Sequence, residues 1–301
     1  GLALIELATQ FENLKPDVVL TVADRYETMA TAIAAVYMNI PLAHTQGGEV
    51  TGSVDESVRH AITKFAHLHF VTTPLCRERL IRMGENPSTV FLTGCPAMDV
   101  VAQIDLSLGD LFTRYGGVGV SIDTQKPYLV VLQHPVTTEY GQGFEQINET
   151  LKAISELKMQ TVWLWPNVDA GSDDISKGLR IFREKYQPDY VHFYRNFTIE
   201  DYARLINNCA CLIGNSSSAI REGSYLGTPA VNIGTRQEGR EKGENVIDVG
   251  YQSERIKEAI LTQIRHGRYP HNLLYGDGRA SGRIVDILST HQISIQKKLF
   301  Y

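Results

Sequence analysis

The chain has 301 residues, 43% of them hydrophobic, and a formal net charge of −5. That length and apolar content suffice for two hydrophobic cores, so two domains are expected. An acidic balance without a Lys/Arg run argues against nucleic acid as a partner, and the longest apolar stretch, around 30–38, is too short to span a bilayer.

In chain order, Gly1 to Leu7 reads as a helix interior without an initiator methionine, and 17–22 is a short β-rich run after Lys15-Pro16. The alanine-rich 25–38 segment is a predicted helix that stops at Asn39-Ile40-Pro41. Strands are predicted at 41–45, 68–72 and 89–93, with helices at 55–66 and 74–84 between them. Residues 98–126 break the rhythm and read as helical connectors and a linker. Strands resume at 127–132 and recur at 161–165, 189–194, 209–213 and 230–233; the last helix runs from Ala280 to Leu288. Such alternation is the signature of parallel sheets covered on both faces. The fold class is therefore α/β, with domains expected at 1–125 and 126–287 and a tail at 288–301. Four cysteines, Cys76, Cys95, Cys209 and Cys211, fit a reduced, cytoplasmic setting. Cys209 and Cys211 alternate on a predicted strand and should fill one face.

Polar residues follow five predicted strands: Asp24, the His44–Glu49 run, His134, Asn167 and Ser216. Open α/β sheets bind ligands at such strand ends, although any one of these residues could simply cap a turn. Asp55 and Glu56 stand where first-turn helix acids belong. Gly214-Asn215-Ser216-Ser217-Ser218 reads as a tight turn before a helix opening on serines, which would aim N–H groups and hydroxyls at a phosphate. Glu222, six residues on, could hold ribose hydroxyls, and Arg236 in a second glycine-bounded turn could hold a diphosphate. His67 and His69 lie in a strand without partner ligands and read as packing histidines, so no metal is invoked.

Five blocks carry a resemblance: VADRYE (22–27), HTQGGEVTGSVDESVRHAIT (44–63), LQHPVT (132–137), PNVDAG (166–171) and GNSSSAIREGSYLGTPAVNIGTRQEGREKGEN (214–245). Together, in order along essentially the whole chain, they resemble the UDP-N-acetylglucosamine 2-epimerases. The GGEV…DES…RHAI version is more similar to the hydrolysing branch, which releases UDP and N-acetylmannosamine. The resemblance implies two Rossmann-like domains with an interdomain cleft, as in GT-B glycosyltransferases. It also implies that the tail 288–301 packs back on the first domain, and that the first domain is N-terminally truncated, so that strand 17–22 would have an unpaired edge.

The resemblance further implies catalytic acids at Asp24 and Asp55; in such a reaction the Ser216/Ser217 turn, Arg236 and His134 could stabilise the phosphate charge as UDP departs. Several relatives carry a catalytic Glu where this chain has Gln46; Gln cannot titrate, so Glu49, Asp55 or a water would take that part. UDP contacts are implied for Arg25, His134, Asn167, Ser216, Ser217, Glu222 and Arg236. The loop Tyr194–Phe197 should lie beside the uracil, with Phe197 either covering the base or in the core. No cofactor is implied; a homo-oligomer, dimer or tetramer, and a part in sialic-acid-like sugar synthesis are. The alternatives are a non-hydrolysing epimerase, a GT-B glycosyltransferase and a non-enzymatic nucleotide-binding remnant. Ala230, eight residues after Glu222, stands where retaining transferases carry a second Glu and weighs against the transferase.

Overall fold

The computed structural model describes residues 1–301. The chain divides into two compact units, one of residues 1–102 with 275–301 and one of residues 103–274. No helix is long and apolar enough to cross a membrane.

The first unit is built on four parallel strands in the order β1 (Val19–Val22), β2 (Leu42–Thr45), β3 (Leu68–Val71) and β4 (Val90–Leu92). Its helices are α1 (Leu2–Leu14), α2 (Tyr26–Tyr37), α3 (Asp55–Phe65), α4 (Pro74–Arg82) and α5 (Pro96–Gln103), which runs across the unit boundary. Small residues explain the packing of α2: Ala32 and Ala35 let it close on Val19 and Leu42, together with Ile62 of α3. Thr73 caps α4 by accepting the Cys76 amide at 3.1 Å, and Pro74 supplies the fixed φ of a first helical residue. β1 pairs with β2 alone, and on its exposed side Leu20 and Val22 are 45% and 54% exposed.

The second unit has a seven-stranded sheet. Its strands are β5 (Gly117–Gly119), β6 (Leu129–Leu132), β7 (Thr161–Leu164), β8 (Val191–Tyr194), β9 (Cys211–Gly214), β10 (Ala230–Ile233) and β11 (Val246–Val249). They lie in the order 11-10-9-6-7-8-5, all parallel except β5, which runs antiparallel to β8. The accompanying helices are α6 (Leu111–Arg114), α7 (Gly143–Leu157), α8 (Ser172–Tyr186), α9 (Ile199–Asn208), α10 (Glu222–Leu226) and α11 (Ser253–His266). Apolar side chains of α7, α8 and α11 cover one face and those of α9 the other. Succession runs outward from β6 through β7 to β8, then returns to β9 on the other side of β6. This reversal makes a topological switch point between β6 and β9, where open α/β sheets gather ligands. The last helix, α12 (Ala280–Thr290), belongs to the first unit and seats Ile284 against Ala43, Leu68 and Phe70.

Several expectations need correction. β5 lies inside the stretch read as linker, because Gly-Val-Gly offers no alternation to read, and β11 and α11 were not anticipated. The unit boundaries fall at 102/103 and 274/275 rather than 125/126 and 287/288. Asp99 accepts the Ala280 and Ser281 amides at 2.9 and 2.6 Å, which fixes α12 on the first unit. Cys209 and Cys211 do not share a face: Cys209 follows α9 as its C-cap and packs in one core, while Cys211 opens β9 and packs in the other. The serine turn does not open a continuous helix. A 3-10 turn, Ser217–Ala219, comes first, and Glu222 begins a separate five-residue α10.

Candidate functional site

Asn215, 1% exposed, sits at the switch point and joins three loops. Its Oδ1 accepts the His134 amide at 2.7 Å and its Nδ2 donates to the His134 carbonyl at 2.8 Å. Its own carbonyl accepts Arg236 Nη1 at 3.3 Å and Gln237 Nε2 at 2.9 Å. The ends of β6, β9 and β10 are thereby held to one another. His134 Nδ1 accepts the Asn167 amide at 3.1 Å, which brings in the end of β7 and leaves the neutral ring's proton on Nε2 as a donor. Burial, and then the Arg236 cation, pull His134 down to about 3, so the ring is neutral at physiological pH. The Asn167 side chain donates to Asp169, whose carboxylate faces Arg236 at 3.6 Å.

Ser216 caps the 3-10 turn: its Oγ accepts the Ser218 amide at 3.3 Å and lies 2.9 Å from the Ser218 hydroxyl. Tyr202 on α9 contacts Ser218 Oγ at 2.6 Å. Ser217 opens the turn, and half-buried Glu222 opens α10. Because α10 is so short, any attraction for an anion rests on Arg236, His134 Nε2, hydroxyls and turn amides rather than on a helix dipole. Phe197 is 6% exposed, with its ring 4.5 Å from that of Tyr115 and 5.0 Å from that of Tyr194. The ring is therefore part of the core rather than a cover for a base.

In the first unit, Arg59 of α3 is the buried organiser at 1% exposure. Its guanidinium forms an ion pair with Asp24 after β1 and donates to the Glu49 carbonyl at 2.5 Å and to Thr51 Oγ1 at 3.4 Å. Asp24 and the 49–51 loop thus share one cation. The Glu49 carboxylate is buried and accepts the Thr72 hydroxyl at 3.0 Å. Gln46, buried with φ +62°, points its amide at Cys95 Sγ, 3.6 Å away. Asp55 begins α3 and accepts Ser53 Oγ at 2.8 Å, while Glu56 accepts the Thr51 amide at 2.8 Å. Arg25 is exposed and pairs with Glu27 at 3.2 Å. Fully buried His44 donates from Nε2 to the Ala23 carbonyl at 2.7 Å, and burial brings it down to about 4.

His67 and His69 are packing groups. His67 accepts the Leu42 amide at 3.1 Å, and His69 meets Glu85 at 3.0 Å beside Lys297. Arg59, Asp169, Asn215 and Gln237 escaped the sequence reading. Each lies within a block quoted above, but nothing in an isolated Arg or Asn marks it as buried.

The profile of the family described as UDP-N-acetylglucosamine 2-epimerase matches residues 1–289. The chain belongs to this family. It is 36% identical over 291 residues to a Legionella pneumophila UDP-N,N'-diacetylbacillosamine 2-epimerase (hydrolyzing), covering 96% of this chain and 75% of that one. A Campylobacter jejuni GDP/UDP-N,N'-diacetylbacillosamine 2-epimerase (hydrolyzing) is 33% identical over 251 residues, covering 82% and 64%. In three dimensions the chain is similar to the Neisseria meningitidis UDP-GlcNAc 2-epimerase bound to UDP-GlcNAc, with a TM-score of 0.78 at 19% identity, covering 96% and 80%. That likeness establishes the shared fold of two Rossmann-like α/β units.

Proposed function

We propose that the chain is a hydrolysing 2-epimerase acting on UDP-N-acetylglucosamine or a UDP-linked diacetamido relative. The observation that carries this reading is the set of loops pinned by Asn215, which assembles Arg236, neutral His134, Asn167 and the serine turn at the switch point. The 36% identity to a relative named as hydrolysing supports the same branch.

In this reading Arg236, Ser216, Ser217, His134 and Asn167 bind the diphosphate, Glu222 takes the ribose and Arg25 adds a further cation. The backbone around Phe197 faces the base. The hydrogen on C2 of the sugar has no adjacent carbonyl to acidify it. Cleavage of the C1–O bond to UDP comes first; positive charge on C1 and the ring oxygen then makes C2–H removable, leaving a C1=C2 glycal. Arg236 and the Nε2 proton of His134 stabilise the phosphate charge as it forms; one such charge-directed donor is worth about 2.7–4 kcal/mol in comparable sites. Water then adds at C1, and a proton reaches C2 from the opposite face, giving the mannosamine-type sugar.

Two acid–base groups are needed. Asp24, held by Arg59, is one; Asp55 or Glu49 is the other, with Gln46 able only to orient a water. Turnover in heavy water should release UDP and a free sugar deuterated at C2. Deuterated product still attached to UDP would instead mean the non-hydrolysing reaction, and transfer to an acceptor without exchange would mean a transferase. A cytoplasmic, homo-oligomeric enzyme supplying an amino sugar for sialic-acid-like synthesis completes the proposal.

A further inference from the structure

Tyr115, on the segment between α6 and β5, has no part in the site above, yet it holds the loop that leaves β8. Its hydroxyl donates to Asp201 Oδ2 at 2.6 Å and accepts the Thr198 amide at 3.1 Å, and its ring packs on Phe197. Asp201 is buried and receives two bonds of 2.9 Å from Arg114 and one of 2.6 Å from Arg204. A carboxylate so enclosed has no freedom to turn, so the tyrosine oxygen is fixed in turn.

Two further facts give this clamp a purpose. No backbone hydrogen bond within the chain engages Arg195, Asn196 or Phe197, although Phe197 is buried. Arg195 and Asn196 are exposed, so their N–H and C=O groups are open to solvent or to an external partner, and the backbone of buried Phe197 lies beside them without an internal backbone partner. In addition, the next residue of α9, Tyr202, contacts Ser218 in the serine turn. Residues 201 and 202 thus tie the 195–198 loop and the serine turn to one helical turn at fixed spacing.

We propose that Tyr115 is a positioning residue that sets the backbone of residues 195–197 to read the edge of a nucleobase, so that the site selects uridine over purine nucleotides. This rests on the reading that the second unit binds a nucleoside diphosphate. The uracil edge presents acceptor, donor and acceptor in a row, which alternating backbone N–H and C=O groups can match. A purine edge mismatched to that fixed row leaves buried polar groups unpaired.

Calorimetric titration of the full chain with UDP, GDP and inorganic pyrophosphate tests this. The unaltered chain should bind UDP at least about ten-fold more tightly than GDP. Y115F should lower that preference by about five-fold or more while leaving pyrophosphate affinity within about two-fold. An unchanged preference, or pyrophosphate affinity falling in step with UDP, overturns the inference while leaving the nucleotide site intact. UDP binding no tighter than pyrophosphate in the unaltered chain overturns the nucleotide reading itself, and this inference with it. Should Y115F fail to fold, hydrogen exchange of the unaltered chain decides: UDP, but not pyrophosphate, should slow the amides of Asn196 and Phe197. Equal slowing by both ligands, or by neither, overturns the inference.

Discussion

Asn215 gives both ends of its amide to the backbone of His134. Asn215→Ala would leave that N–H and C=O unpaired beside a buried site, a loss of about 1–3 kcal/mol per group. We expect a lower urea midpoint together with a weaker calorimetric Kd for UDP; normal UDP affinity would show that the three loops hold without it. The histidines fix a pH dependence. In the folded chain His134 and His44 titrate near 3 and 4, against about 6.5 when unfolded. The unfolded chain therefore takes up more protons as pH falls from 6.5 toward 4, and stability falls with it. Above pH 7 these residues contribute no slope, and H134Q should flatten part of the acid limb in urea unfolding. Asp24→Asn removes the charge partner of Arg59. It should abolish turnover and cost about 1–3 kcal/mol of stability, with UDP affinity kept within about a few-fold. The places of Asp24, His134 and Ser216 at strand ends were legible because they follow β-rich runs directly. Arg59 and Asn215 were not, because a buried cation or amide has no periodic trace.

Among the elements, those carrying alternation or long apolar runs were readable, and those made of few residues were not. β5 offers one valine between two glycines, and the edge strand β11 holds polar Asp248. The serine turn misled for a different reason: Ser216 caps a 3-10 turn with the same side-chain bond that would cap a helix, so the break before Glu222 is invisible in composition. Helix α12 depends on a cap distant in sequence. Asp99 satisfies two of its opening amides, so Asp99→Ala should cost about 0.5–2 kcal/mol, and amide exchange should speed up first in α12. Uniform acceleration across the first unit would mean that Asp99 acts through its core instead.

For the molecule as a whole, the alternating pattern gave two Rossmann-like sheets, but not the point at which the chain returns to the first. The resemblance implied a return only from residue 288, whereas contacts such as Ile284 on Phe70 bring it forward to 275. Both tryptophans, Trp163 and Trp165, lie in the second unit, so their fluorescence reports on that unit alone. A chain shortened after Leu274 bares the sheet face that α12 covers. It should lose circular dichroism amplitude from the first unit while keeping a cooperative fluorescence transition from the second. Loss of that transition as well would make the two units a single folding entity.

All of residues 103–274 stands between the two stretches that make up the first unit. On an elongating polypeptide the internal unit can therefore close while its predecessor still waits for the helix that completes it. During that interval the apolar face of β2 and β3 is exposed to whatever else the ribosome's surroundings contain. Translation speed through the middle of the message thus sets how long that face waits for its cover, without altering one residue of the site.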